Sequence, residues 1–357
     1  MTRARIALTR IALLTSLLLA LACGDDSNPS DAGADSGDPD VGPPDAGMDA
    51  RDAGPDVFDA GTPCDGPPGL YVDEACETVA SDIVGFNPQF WLWSDGTDKE
   101  RFMSIPDGAV IDTSNPDRWV FPVGTRIWKN FSMDGVKLET RYFEKINPGA
   151  GTASWVIRTF LWNEDQDAVT EITDGATDVL GTGHDIPAVA LCQNCHAGAG
   201  GVGDVLLGVS AIQLNHDDTG VALEDLFPMG WISTPIPVAM AVIPTDDDVT
   251  REALGYMHAN CGHCHRQSPG APSGLSLEVL VGQTLDETGV FQTAVDMNSV
   301  WNMGAPLMRV TRGDPDASSV FLRTGIRVDP VNQMPPLATE LVDDVGRDAI
   351  REWILAL

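Results

Sequence analysis

The chain has 357 residues, 43% of them hydrophobic, and a formal net charge of −32. That apolar content excludes a wholly disordered protein, and the length fits about two domains. So acidic a surface repels phosphate backbones and excludes nucleic acid as the default partner, while a single long apolar run excludes a multi-span membrane protein.

That run lies at the start. Arg3, Arg5 and Arg10 precede an apolar stretch from Ile11 to Ala22, then Cys23. A basic opening, a short apolar core and small residues before a cleavage point predict a secretory signal over residues 1–22. The ending Ala20-Leu21-Ala22-Cys23-Gly24 resembles the bacterial lipoprotein signal. That resemblance implies a lipid on Cys23, and with it an exported protein anchored to the cell or outer membrane, facing periplasm or cell surface.

Residues 23–62 are dominated by Asp, Ala, Gly, Pro and Ser, with Asp-Ala-Gly at Asp31, Asp45, Asp52 and Asp59. Eleven Asp against Arg51 alone give this stretch an excess of ten negative charges and little to bury, the composition of a disordered, self-repelling tether. Cys64 and Cys76 follow, close together in a loop-rich exported segment, and read as a disulfide.

Residues 63–185 read as a β-rich domain. Thr125–Met133, Val136–Ile146 and Ser154–Trp162 are rich in aromatic and branched residues, and Asp134-Gly135 between the first two signals a hairpin. Alternation predicts Val136, Leu138 and Tyr142 inward, with Lys137, Glu139 and Arg141 toward water. The expected form is an antiparallel sandwich or barrel. The segment Trp91-Leu-Trp93-Ser-Asp-Gly96 is either a ligand surface or, as tryptophans in small β domains more often are, part of the core.

The remaining four cysteines form two Cys-x-x-Cys pairs, each followed at once by histidine: Cys192-Gln-Asn-Cys195-His196 and Cys261-Gly-His-Cys264-His265. Two such pairs alone fit a zinc site, a redox dithiol or haem attachment. With only six His in the chain, placing one directly after each pair is not an accident of composition. The chemistry of c-type haem needs this order: two thiols add across the vinyl groups, and the next residue offers the proximal imidazole. Two haems c are therefore expected, held by Cys192, Cys195, Cys261 and Cys264 and ligated by His196 and His265.

Around the second motif the pattern is helical. Thr245-Asp-Asp-Asp248 offers an N-cap, and Val249, Ala253, Leu254 and Met257 share one face. Asp314-Pro315 starts a helix reaching Arg323, and a last helix from about Asp343 puts Val345, Ala349, Ile350, Trp353 and Ile354 on one side. Residues 250–357 thereby resemble a bacterial cytochrome c domain: a helix, Cys261-x-x-Cys264-His265, Met334-Pro335-Pro336-Leu337, and a terminal helix with Trp353. From Trp91 onward the chain also resembles exported bacterial proteins that join a Trp-Ser-Asp-Gly β region to a first Cys-x-x-Cys-His and such a domain. The fold class is thus α+β, with a first-motif segment at 186–244 and a cytochrome c-like domain at 245–357.

Met334 is the expected sixth ligand opposite His265, with Met308 as fallback, and Pro269 or Pro272 could present a carbonyl to His265. For the first haem the candidates are His184, favoured, then His216, Met229 and His258; an open iron face is the alternative. The leading expectation is a membrane-tethered electron carrier whose acidic surface meets basic patches on periplasmic or membrane redox proteins. The alternatives are a peroxidase-like dihaem enzyme and a β-domain binding module with accessory haem. No Ser/His/Asp or paired-carboxylate arrangement points to other catalysis.

Overall fold

Six strands follow one another across a single sheet: β1 (Val84–Gly85), β2 (Asp98–Ser104), β3 (Arg126–Met133), β4 (Val136–Lys145), β5 (Trp155–Trp162) and β6 (Val169–Ile172), each antiparallel to the next. They belong to a computed structural model that describes residues 64–196, 203–204, 206–266, 274–327, 329 and 331–357. The signal, Cys23 and the acidic segment lie outside the described residues. The α+β class holds, but the sandwich or barrel does not: the sheet is open, and β1 and β6 are not paired to each other. A second sheet is unnecessary because other parts of the chain bury both faces.

One face, with Trp128, Tyr142, Phe160 and Trp162, packs on Leu70 and Tyr71 within the loop closed by the Cys64–Cys76 disulfide. The other contributes Met103, Ile127 and Phe143 to a core shared with Leu254, Met257, Ile350, Trp353 and Ile354. One core therefore runs from the sheet into the helices.

The hairpin at Asp134-Gly135 forms as read. Both residues adopt positive φ, 51° and 81°, matching the two-residue turn that follows strand twist. The facing of β4 does not follow the simple alternation. Phe131 opposes Glu139 and Ser132 opposes Lys137, so Leu138 is an extra residue, a bulge that reverses the pleat. Lys137 accordingly lies over the rings of Tyr71 and Trp162, at 4.8 and 4.2 Å, whereas Glu139 is fully buried on the opposite face and Val136 is exposed.

The helices are α1 (Gln193–His196), α2 (Ala211–Leu214), α3 (Leu223–Leu226), α4 (Asp248–Asn260), α5 (Gly289–Thr293), α6 (Ser319–Thr324) and α7 (Asp344–Ala356). Asp247 caps α4 by accepting from Thr250 N, and Asp343 caps α7 by accepting from Gly346 N. α4 packs against α7 with Gly346 beneath Tyr256, where a Cβ would come within 1.9 Å of the ring. This turns α7 so that Gly346, Ile350, Trp353 and Ile354 are buried, while Val345, expected on the inner side, is 84% exposed.

Asp204 ties the segment after the first motif to the sheet. Its carboxylate accepts from Lys145 Nζ at 2.6 and 2.8 Å, Trp155 Nε1 at 2.9 Å, Phe121 N at 2.9 Å and Gly151 N at 3.1 Å. Both charged side chains are fully buried. Asp204→Ala strands the lysine in a dry site and is expected to cost about 3–5 kcal/mol. Lys145→Met should cost less, because three N–H donors still hold the carboxylate. Urea unfolding of the two variants checks the order; equal or reversed losses would contradict the hub.

Candidate functional site

The two Cys-x-x-Cys-His segments adopt the same tight turn. In the first, Cys195 N and His196 N donate to Cys192 O at 3.2 and 3.0 Å; in the second, Cys264 N and His265 N donate to Cys261 O at 3.1 and 2.8 Å. The first is positioned from β6: Val189 N donates to Thr173 O, and one turn over Val189–Leu191 leads into Cys192. The second continues α4, with Cys261 N and Gly262 N both donating to Met257 O. Gly262 is required there, since a Cβ would lie 2.6 Å from His258 O.

The Trp91–Gly96 segment clamps the end of α4. Asn260, just before Cys261, accepts from Trp93 N at 2.7 Å and donates to Trp91 O at 3.0 Å. Trp93 Nε1 donates to Leu341 O, and Asp95 accepts from Leu341 N. Trp91 is half-exposed rather than core; the segment is a brace between sheet and helices. Nothing in the sequence pairs Asn260 with Trp93 across so long a separation.

Cys261, Cys264 and His265 line a cavity of about 440 Å³ together with Met334. Leu275, Leu277, Val300, Trp301, Val320 and Leu337 give it an apolar wall. Met334 N donates to Arg323 O at 3.0 Å, and Arg323 in turn donates to Asn332 O and Val331 O, bracing the loop that carries the thioether. Leu277 N donates to His265 O at 2.7 Å. Met308, the fallback, is not among the lining residues. Pro269 and Pro272 lie outside the described residues.

Asn194 and Cys195 of the first motif reach the same cavity. Cys264 Sγ donates to Asn194 O at 3.2 Å, and ligand atoms of Cys195, His263 and Cys264 lie within 4.8 Å of one another. The hydrogen bond shared by the two thiols lowers the pKa of Cys264 and, with burial, pushes Cys195 up to about 12. Burial alone pushes Cys261 up to about 12. His263 escaped notice because it sits between the two cysteines of a motif whose roles were already filled.

Of the candidates for a second axial ligand on the first side, His184 is turned to the sheet. Its Nε2 lies 2.9 Å from Glu139 Oε1 and its ring stacks on Phe131 at 5.8 Å, leaving Nδ1 buried without a partner. His196 packs on Phe143 at 4.7 Å. His216 lies elsewhere, beside Asp217 and Asp218, and Met229 is exposed. His258 accepts from Val279 N through Nδ1 at 3.2 Å.

The residues around the second motif suit a c-type haem on three observations. Two thiols and an imidazole come from one turn, a thioether lines the same apolar cavity, and His265 Nδ1 is buried with no partner among the described residues. No protein-family model matches the sequence, and no curated protein and no solved structure matches it.

Burial holds His258 neutral, its pKa lowered from 6.5 to about 4; Glu278 opposes this and Arg118 adds to it. A base whose folded pKa is depressed binds fewer protons folded than unfolded. Its contribution is therefore complete above about pH 6.5 and is lost as pH falls toward 4, by at most about 3 kcal/mol at 1.4 kcal/mol per unit. His258→Gln should remove that part of the slope. Urea unfolding at pH 7 and pH 4.5 checks it, and an unchanged slope in the variant would contradict the assignment.

Proposed function

We propose that the chain is an exported, lipid-tethered c-type cytochrome with two covalent haems, serving as a one-electron carrier between periplasmic or membrane redox proteins. The observation that carries this reading is the cavity in which Cys261, Cys264, His265 and Met334 meet, with Cys195 of the first motif at its edge. Cys261 and Cys264 would hold one haem, with His265 and Met334 as axial donors; Cys192 and Cys195 would hold the other, with His196 as proximal donor. Bound haem supplies a reversible one-electron couple.

The chain's own residues do the rest. Leu275, Leu277 and Leu337 place apolar surface beside the imidazole and thioether, and low polarity there would favour the reduced, less charged state of a bound haem. Arg323 fixes the Met334 loop so that the sulfur is presented without reorganisation. The adjacency of Cys195 and Cys264 favours a carrier with two neighbouring centres over two independent modules. The acidic surface favours basic partners.

A second reading rests on the same adjacency: Cys195, His263 and Cys264 are three donors suited to zinc. Intact mass and metal analysis separate the two. The carrier reading expects the mature polypeptide plus two haems, resistant to acid extraction. A haem-free mass with one zinc per chain would overturn it in favour of the zinc site. In the haem-loaded protein, Met334→Ala should lower one midpoint potential and let carbon monoxide bind the reduced form, leaving the other haem's spectrum unchanged. Unaltered potentials would reduce Met334 to a packing residue. Peroxide turnover by the parent, lost in the variant, would favour the peroxidase-like enzyme.

A further inference from the structure

We infer that the sheet carries an anion site, a recess formed by Lys99, Arg101, Lys129 and Arg141 that takes a carboxylate. The register sets Arg101 opposite Lys129 and Lys129 opposite Arg141, so three cations form a row across β2, β3 and β4 on one face. Lys99, Lys129 and Arg141 also gather around the ring of Phe131, at 5.9, 4.7 and 4.4 Å. Like charges directly opposite one another destabilise a sheet, and three around one ring with Arg101 beside them need an anion to offset them.

The acids within reach do not supply it. Glu139 is already taken: Arg141 donates to both its oxygens at 2.9 and 2.7 Å, and His184 Nε2 meets Oε1. Asp204 serves Lys145. Asp95 and Asp98 act on Lys99, where burial and the neighbouring arginines still bring the pKa down to about 8. Of the residues outside the described set, 197–202, 205, 267–273, 328 and 330 contain no Asp or Glu, whereas residues 1–63 contain eleven Asp.

Arg101 carries the inference furthest. It is 2% exposed, and its Nε, Nη1 and Nη2 are all buried without a hydrogen-bond partner among the described residues. The guanidinium lies over the Trp91 ring at 5.2 Å, and burial, opposed by no acid, brings its pKa down to about 10. Leaving a whole guanidinium fork unpaired in a dry site is costly, and a planar carboxylate matches it with two parallel hydrogen bonds. Lys129 and Lys99 are only partly covered, which leaves the recess open on their side.

The recess adjoins the first motif. Cys192 and Cys195 are close enough to raise the pKa of Arg141, and Phe143, two residues along β4, holds the His196 ring. The carboxylate we assign is either an acid side group of a haem attached at Cys192 and Cys195, which rests on the carrier reading, or a free carboxylate ligand, which does not; an Asp of residues 23–62 in its place would leave acetate and the potentials without effect, the outcome that overturns the site.

The test uses the purified full-length protein with Arg101→Gln and Lys129→Gln, and Arg312→Gln as a control for net charge, since Arg312 pairs with Asp296 away from the sheet. Intact mass, redox titration and acetate titration followed by thermal shift are measured on each. With a haem-borne carboxylate, both recess variants keep their haem count, one midpoint potential falls, and acetate leaves the parent unchanged. With a free carboxylate, the parent shows saturable stabilisation by acetate, each recess variant weakens it at least about tenfold, and the potentials stay put. Either pattern supports the site and names its source. Absence of both effects, or equal effects in Arg312→Gln, overturns it. A haem-free parent would sink the carrier reading while leaving the acetate comparison intact. Should Arg101→Gln fail to fold, the partly exposed Lys129 carries the test.

Discussion

The buried pair of Lys145 and Asp204 fixes how the two halves of this chain meet. A lysine and an aspartate with no exposure are tolerated only because the carboxylate has three further N–H donors, drawn from before β3, from the β4–β5 connection and from β5 itself. Such a site admits little displacement, so the chain at Asp204 is fastened to the sheet. The Cys192–His196 turn is held on its leading side, where Val189 N donates to Thr173 O just past β6. An ionic contact inside the fold thereby ties Asp204 to three separate stretches around the sheet.

A second brace brings the other motif to the same place. Asn260 is held by the backbone of Trp91 and Trp93, and the loop following Met334 is held through Leu341 by Trp93 and Asp95. The short segment before β2 thus grips both sides of the cavity wall. The two braces act on different motifs, yet they converge because both start from the same sheet and the core is continuous from Met103 to Trp353. The resulting adjacency of Cys195 and Cys264 is the feature any account of function has to explain, whether the chain holds haem or metal.

Local signals were legible where a few neighbouring residues decide the outcome. Asp134-Gly135 specifies its turn, Asp247 and Asp343 cap their helices, and the spacing of Cys, Cys and His defines one turn in both motifs. What the sequence concealed depends on distant partners. Alternation in β4 predicted an exposed Glu139, but the bulge at Leu138 reverses the pleat and Arg141 and His184 neutralise the carboxylate inside. Val345 fits the stripe by period, but the close approach at Gly346 rotates the helix away from it. An open sheet and a sandwich share the same strand pattern, and only the segments covering each face distinguish them. The approach of Cys195 to Cys264 left no trace in either motif.

The strand order has a consequence for the course of folding. Every strand pairs with its neighbour in sequence, so the sheet is built from short-range closures that form early. The α4–α7 contact closes a far longer loop, and the core around Ala253, Leu254 and Met257 stays open until Ile350, Trp353 and Ile354 arrive. Closure of the sheet therefore spans shorter stretches of chain than the docking of α4 on α7. Once α7 docks, Ala253, Leu254 and Met257 have no exposure. The order in which the layers of this fold close therefore follows from chain order, with the docking of α7 as the longest closure.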